Sequence, residues 1–337
     1  MGNRSSIFGW ILHSCFALLY LAGGVLAAEP LLLEGYTDPM SVLPGEQVRF
    51  HISTSAKEYS FRIIRVGARD EVVFEKRGLP GREYPVGDDS GRPAVAAMYG
   101  CRWPAAFALT VPDDWPSGYY HVVLCHGQRE FTPLPHVEVD LRPVTSHPTR
   151  PAMFFVVRSR PGRESPILLE LTSNTYQAYN NWGGSSLYSG PDRPRVSFNR
   201  PLSLVPWAGL FNWELPFLRW AQGCGYRLDV CCNLDLGLGR QMLAGYRLVL
   251  SVGHDEYWSA EMRDGLEEFI RQGGNAAFFS GNTCCWQVRV EEGGRALVCY
   301  KRAIQRDPVY ATGDFRCLTT LWSDPLLKRP ENLLTGV

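Results

Sequence analysis

The sequence has no C-x-x-C pair, no excess of either charge, no internal repeat and no low-complexity tract. Beyond residue 30 it also has no apolar run long enough to span a bilayer. Each absence removes a class of answer. Without C-x-x-C spacing, neither a zinc site nor a disulfide framework can be read from the cysteines. Lys plus Arg equals Asp plus Glu at 34 each, so no net field favours nucleic acid or an anionic surface. The lack of repeats excludes solenoids. Cysteine itself is present, but Cys231-Cys232 and Cys284-Cys285 are adjacent pairs, in which a disulfide is strained. Loss of Cys15 with an N-terminal segment would leave nine, an odd number, so these residues read as small buried hydrophobes.

What is present supports a sizeable core. Hydrophobic residues make up 45% of 337, with ten Trp, and the length suits two domains. The first thirty residues stand apart. Arg4 supplies a basic start, Ile7 to Ala28 is apolar but for His13 and Ser14, and Val25-Leu26-Ala27 offers small residues for cleavage. Residues 1–28 therefore read as a signal peptide, or as a signal anchor if left uncleaved. The chain is expected to be secreted or periplasmic in the first case and membrane-anchored in the second.

Residues 29–140 read as all-β. Gln47 to Ile52 and Ser60 to Val66 alternate, and Tyr119 to Leu124 is a third β-rich run. Pro44-Gly45, Pro80-Gly81 and Pro116-Ser117-Gly118 supply turns between them, and no helical period of useful length appears. A small Ig-like sandwich fits this spacing. Residues 141–150, with Pro143 and Pro148, read as a linker. From 151 to 337 the pattern changes to α/β. Glu214 to Gln222 is a short amphipathic helix, and Tyr246 to Val252 is a buried strand. Ser259 then caps a helix whose apolar stripe is Met262, Leu266, Phe269 and Ile270, ended by Gly273-Gly274. Ala276 to Ser280 is the next strand. Strand, helix, strand at this spacing is a βαβ unit and implies a parallel sheet.

Ligands in such a sheet bind beyond the carboxyl ends of the strands. That rule selects Gly253-His254-Asp255-Glu256-Tyr257-Trp258 and Gly281-Asn282-Thr283-Cys284-Cys285-Trp286. A polar, aromatic, glycine-rich stretch from Asn174 to Gly184, followed by Ser186-Leu187-Tyr188, joins them. Singly, each residue has a bland role. His254 can start a helix, Asp255 and Glu256 can answer a helix dipole, and tyrosines pack in cores. Their convergence on one face is what points to a site.

Four motifs occur in order: N-T-Y-Q-A-Y-N-N-W-G-G, N-W-E-L-P-F-L-R-W, V-G-H-D-E-Y-W-S and G-G-N-A-A-F-F-S-G-N-T-C. Together they resemble the large (beta) subunit family of N,N-dimethylformamidase over about residues 150–337. The resemblance implies a flavodoxin-like or class I glutamine-amidotransferase-like parallel sheet and hydrolysis of a C–N amide bond. It implies one mononuclear ferric iron held by two tyrosinates and a glutamate. The glutamate falls on Glu256, the first tyrosine on Tyr179 with Tyr176 as competitor, and the second on Tyr188. A pocket histidine falls on His254 and a pocket asparagine on Asn282. Phenolate and carboxylate are hard anionic ligands that suit ferric iron. A small amide-type substrate and a small subunit or homo-oligomeric partner are implied as well. Two departures stand out. Asn233 replaces an aspartate of the family's D-Y-x-T-D-x-D-L pattern, and the chain stops at Val337 where relatives continue. The second leads to the expectation of an incomplete C-terminal domain with a sheet edge or an apolar patch uncovered near the C-terminus. Two rival readings stay open: a non-catalytic extracellular binding module, and a hydrolase using Cys284 as nucleophile with His254 as base and Glu256 as orienter.

Overall fold

The computed structural model describes residues 30–86, 93–134, 150–190, 192–205 and 208–336. The signal segment at 1–28 lies outside these residues, as does the linker at 141–150 apart from Arg150. Two sheets form the first half. Leu33–Asp38, Gln47–Thr54 and Phe107–Thr110 pair antiparallel in one. The other runs in the order Ser41–Val42, Phe154–Val157, Gly118–His126, Glu58–Val66, Glu71–Pro80. Alternation in Gln47–Thr54 turns Val48, Phe50 and Ile52 inward against Phe61, Ile63, Val122 and Phe155 of the second sheet. The Phe50 and Phe61 rings lie 5.1 Å apart.

Gly118–His126 shows no alternation because both of its faces are covered. Tyr120, Val122 and Leu124 face the first sheet, while Tyr119 and Val123 face Leu169, Leu171, Leu215 and Leu250 of the second half. Phe154–Val157, which follows the linker in sequence, adds to the first half's sheet rather than the second's. A short helix at Pro93–Tyr99 corrects the all-β expectation for this half. At seven residues it is too short to show a period.

The second half holds a four-stranded parallel sheet, ordered Leu228–Cys232, Ile167–Leu171, Leu248–His254, Asn275–Gly281. Ser259 Oγ accepts from the Met262 amide at 3.3 Å and starts the helix Ala260–Arg271. Met262, Leu266 and Phe269 are buried as the stripe predicts, whereas Ile270 is 37% exposed at its margin. A second, mixed sheet was not expected. Its order is Arg195–Ser197, Ala296–Val298, Trp286–Glu291, Tyr257–Ser259. Asn275–Gly281 is the edge of the parallel sheet and pairs on one side among the described residues. Among these residues no helix is long and apolar enough to cross a membrane.

Candidate active site

Counted along the chain, the parallel strands stand in the order 2-1-3-4. The winding direction therefore reverses between Ile167–Leu171 and Leu248–His254, and a crevice opens beyond their carboxyl ends. Both loops at that crevice carry candidate residues. The helix Ser173–Tyr179 follows the first strand directly and ends on Tyr179. The chain then loops back, and the Leu187 amide bonds to the Ala178 carbonyl at 3.1 Å, which returns Tyr188 to Tyr179. After the second strand come His254, Asp255 and Glu256. Gly253 sits at φ +97°, and a Cβ there would lie 2.7 Å from Trp213, so the bend into this loop requires glycine. The Glu256 amide is held by Thr175 Oγ1 at 3.0 Å, which ties the second loop to the first helix.

Three oxygen-bearing side chains meet there. Tyr188 Oη donates to Tyr179 Oη at 2.6 Å, and Tyr179 Oη donates to Glu256 Oε2 at 2.9 Å. Tyr188 Oη also lies 3.3 Å and 3.4 Å from the two Glu256 oxygens. His254 Nε2 is 3.5 Å from Glu256 Oε2, and Asn282 Nδ2 is 3.1 Å from His254 Nε2. All five residues selected from the sequence thus share one place. Asn282 adopts φ +52°, a left-handed conformation that asparagine tolerates, at the end of the Asn275–Gly281 strand. On its far side a cleft of about 440 Å³ runs past Ser280, Thr283 and Cys285 to Glu331. Tyr188 is half exposed as a residue, but its hydroxyl turns inward to Tyr179. Burial, with the Glu256 charge, pushes that phenol up to about 12. Burial, the Tyr188 hydrogen bond and the Glu256 charge push Tyr179 higher still.

Three further residues belong to the cluster. Tyr257 Oη donates to Tyr188 Oη at 2.9 Å, and Trp286 Nε1 donates to Glu256 Oε1 at 2.9 Å. The Lys301 ammonium lies 3.3 Å from the centre of the Tyr188 ring and 5.5 Å and 5.4 Å from those of Tyr257 and Trp286. Burial lowers its pKa. Tyr257 and Trp286 stood inside the selected loops, but their roles follow from the parallel pairing of Tyr257–Ser259 with Trp286–Val288, which no local pattern announces. Lys301 carried no signal at all. Among the described residues no three His, Cys, Asp or Glu side chains are grouped to hold a metal. The donor set at Glu256 is distinguished by its two phenols.

Tyr176, the competitor for the first tyrosine position, points elsewhere. It is fully buried, and its hydroxyl donates to Glu214 Oε1, which also accepts from Thr172 Oγ1 at 2.7 Å. Cys284 is likewise fully buried, and burial raises its thiol well above the ordinary range. A sealed, protonated thiol is not placed to attack substrate, so the structure speaks against the cysteine-nucleophile reading. Beneath Glu256, Asn233 Nδ2 donates to Glu170 and, at 3.2 Å, to Asp255 Oδ1. Burial raises Glu170 strongly and lifts Asp255 to about 6. An aspartate at 233 would make a third carboxyl here, so the departure at Asn233 is accommodated by two neighbouring acids.

The model of the N,N-dimethylformamidase beta subunit-like, C-terminal family matches residues 62–337. Two curated relatives are the N,N-dimethylformamidase beta subunits of Alcaligenes sp and Paracoccus aminophilus. Each is 26% identical over a match 235 long, and the match covers 56% of this chain and 28% of the relative. The matched stretch therefore spans little more than a quarter of their length.

Proposed function

This chain belongs to the N,N-dimethylformamidase beta subunit-like family, and from that premise we propose that it hydrolyses a C–N amide bond in a small substrate at a single ferric ion. The observation that carries the proposal is the meeting of Tyr179, Tyr188 and Glu256 at the reversal of the sheet, with oxygens 2.6–3.4 Å apart. Two metal–oxygen bonds of about 2 Å allow such separations. All three donors are hard and become anionic on losing a proton, which fits iron in its ferric state. Tyr179, Tyr188 and Glu256 would hold the ion. When bound, it supplies a Lewis acid that polarises an amide carbonyl and acidifies water.

The remaining residues act on their own account. Trp286 and Thr175 hold Glu256 through side chain and backbone, so the carboxylate enters the cluster in a fixed orientation. His254 lies within reach of Glu256 and is suited to move a proton to the leaving nitrogen. Asn282 presents an amide N–H₂ beside it and is suited to hydrogen-bond the carbonyl oxygen as charge develops there. Metal analysis of the purified chain with a visible absorption spectrum tests the reading. One iron per chain and a tyrosinate charge-transfer band are expected. A protein reconstituted with ferric salt that shows neither would sink it.

Three finer readings go with this proposal. The 2-1-3-4 order supports a flavodoxin-like or class I glutamine-amidotransferase-like sheet, and the two packed sheets support an Ig-like sandwich. The relatives are named as beta subunits, which supports a partner subunit for this chain; light scattering of the co-expressed complex checks it. Arg4 and the apolar stretch to Ala28 support export. N-terminal sequencing should then begin at or near Ala28, and recovery of an intact Met1 form would count against cleavage.

A further inference from the structure

Arg200 is fully buried and has no carboxylate partner among the described residues. Its five N–H donors meet five backbone carbonyls instead. Nε donates to Ser197 at 3.1 Å. Nη1 donates to Trp182 at 2.9 Å and to Ser185 at 2.8 Å. Nη2 donates to Gln177 at 3.2 Å and to Asn180 at 2.9 Å. The full donor capacity of a guanidinium is used. A buried cation without a counter-ion is costly, and here the carbonyl dipoles offset that cost. Burial still drags the group down to about 9.

The identity of these carbonyls is informative. Gln177 and Asn180 lie at the end of the helix that carries Tyr179. Trp182 and Ser185 lie in the loop that leads on to Tyr188. Asn180 reinforces the same loop, since its Oδ1 accepts from the Trp182 amide at 3.1 Å and its Nδ2 donates to Pro201 O at 3.0 Å. The two tyrosines are nine residues apart in sequence, yet their hydroxyls lie 2.6 Å apart. Closing so short a segment on itself leaves several carbonyls turned inward, and Arg200 collects them.

We infer that Arg200 is a positioning residue for the phenol pair: it fixes the loop between Tyr179 and Tyr188 and so sets the separation of their oxygens. Its consequence at a metal rests on the proposed function, whereas its hold on the loop does not. Lysine offers three donors from one point and cannot reproduce the fork.

The test compares full-length wild type with Arg200→Lys and Arg200→Met, by hydrogen exchange and by ferric ion titration. Amides of residues 181–189 should exchange roughly tenfold or more faster in both variants, while the Leu248–His254 strand keeps its protection. Ferric affinity should fall by about 10–100-fold, as for loss of other groups that orient ligands. Should Arg200→Met fail to fold, Arg200→Lys carries both measurements. An unchanged loop overturns the inference. So does a uniform rise in exchange across the molecule, which would make Arg200 a general stabiliser. A wild type that binds no ferric ion, combined with selective loosening of 181–189, would sink the iron reading and leave the role of Arg200 in place.

Discussion

The Tyr188 hydroxyl donates to the Tyr179 oxygen across 2.6 Å, and that oxygen's own proton goes on to Glu256. With Tyr257 donating to Tyr188, the cluster is a relay of hydroxyls that ends on one carboxylate. Removing a member takes away both a link and an oxygen donor. Tyr179→Phe and Glu256→Ala should each lose bound iron, the visible band and amide hydrolysis together. Metal content and absorption of each variant check this, and full iron with the band intact in either would exclude that residue as a ligand.

His254 is assigned to proton handling. His254→Ala should bind iron to the wild-type level and lose turnover by about 10²–10⁴-fold, the usual worth of a positioned acid or base. Steady-state rates paired with metal analysis separate the two effects. A variant that loses metal in step with activity would make His254 a ligand instead.

Cys284 is a core residue on this structure. Cys284→Ala should keep activity and cost about 1 kcal/mol of stability, on the scale of a small buried group. In the native protein iodoacetamide should label the exposed Cys224 and Cys317 before it labels Cys284. Peptide mapping after brief labelling decides the order.

Glu214 offers a pH signature. Its burial lifts the carboxyl from 4.5 to about 7 against the opposing pull of the Tyr176 and Thr172 hydrogen bonds. Between these values the folded state holds a proton that the unfolded state has released. The contribution to stability is thus complete below about pH 4.5 and is lost as pH rises through about 7. Glu214→Gln should flatten the fall in unfolding free energy over that window, by an amount on the order of a few kcal/mol. Denaturant unfolding at several pH values measures the slope; an unchanged slope would mean that other groups produce it.

Asn233 bridges Glu170 and Asp255 with its amide. Asn233→Asp would place a third carboxyl in a fully buried site and should destabilise the fold by about 2–4 kcal/mol at neutral pH. The penalty should shrink in acid, where the added carboxyl is protonated. Thermal melts of the variant at pH 5 and pH 8 test the direction. Stabilisation by the aspartate would show that a cation or a different protonation pattern occupies this position.

Much of the molecule is legible in its sequence, because local chemistry decides local structure. The alternation in Gln47–Thr54, the Ser259 cap and the apolar stripe of Ala260–Arg271 are consequences of side-chain spacing alone. So is the βαβ unit, and through it the rule that placed His254, Glu256 and Asn282 at strand ends. Composition and motif order were likewise enough to find the family. Tertiary structure decided what spacing cannot carry. Tyr176 and Tyr179 look alike in sequence, and only the packing of the helix sends one hydroxyl to Glu214 and the other to Glu256. Tyr257 and Trp286 meet at the cluster because Tyr257–Ser259 pairs with a strand 29 residues further along the chain, and Lys301 arrives just after that strand's hairpin partner Ala296–Val298. Arg200 precedes Pro201, and no motif around it marks it out. Its five carbonyl partners exist only once the loop closes, because a hydrogen bond depends on where the chain returns in space and not on which residues precede it.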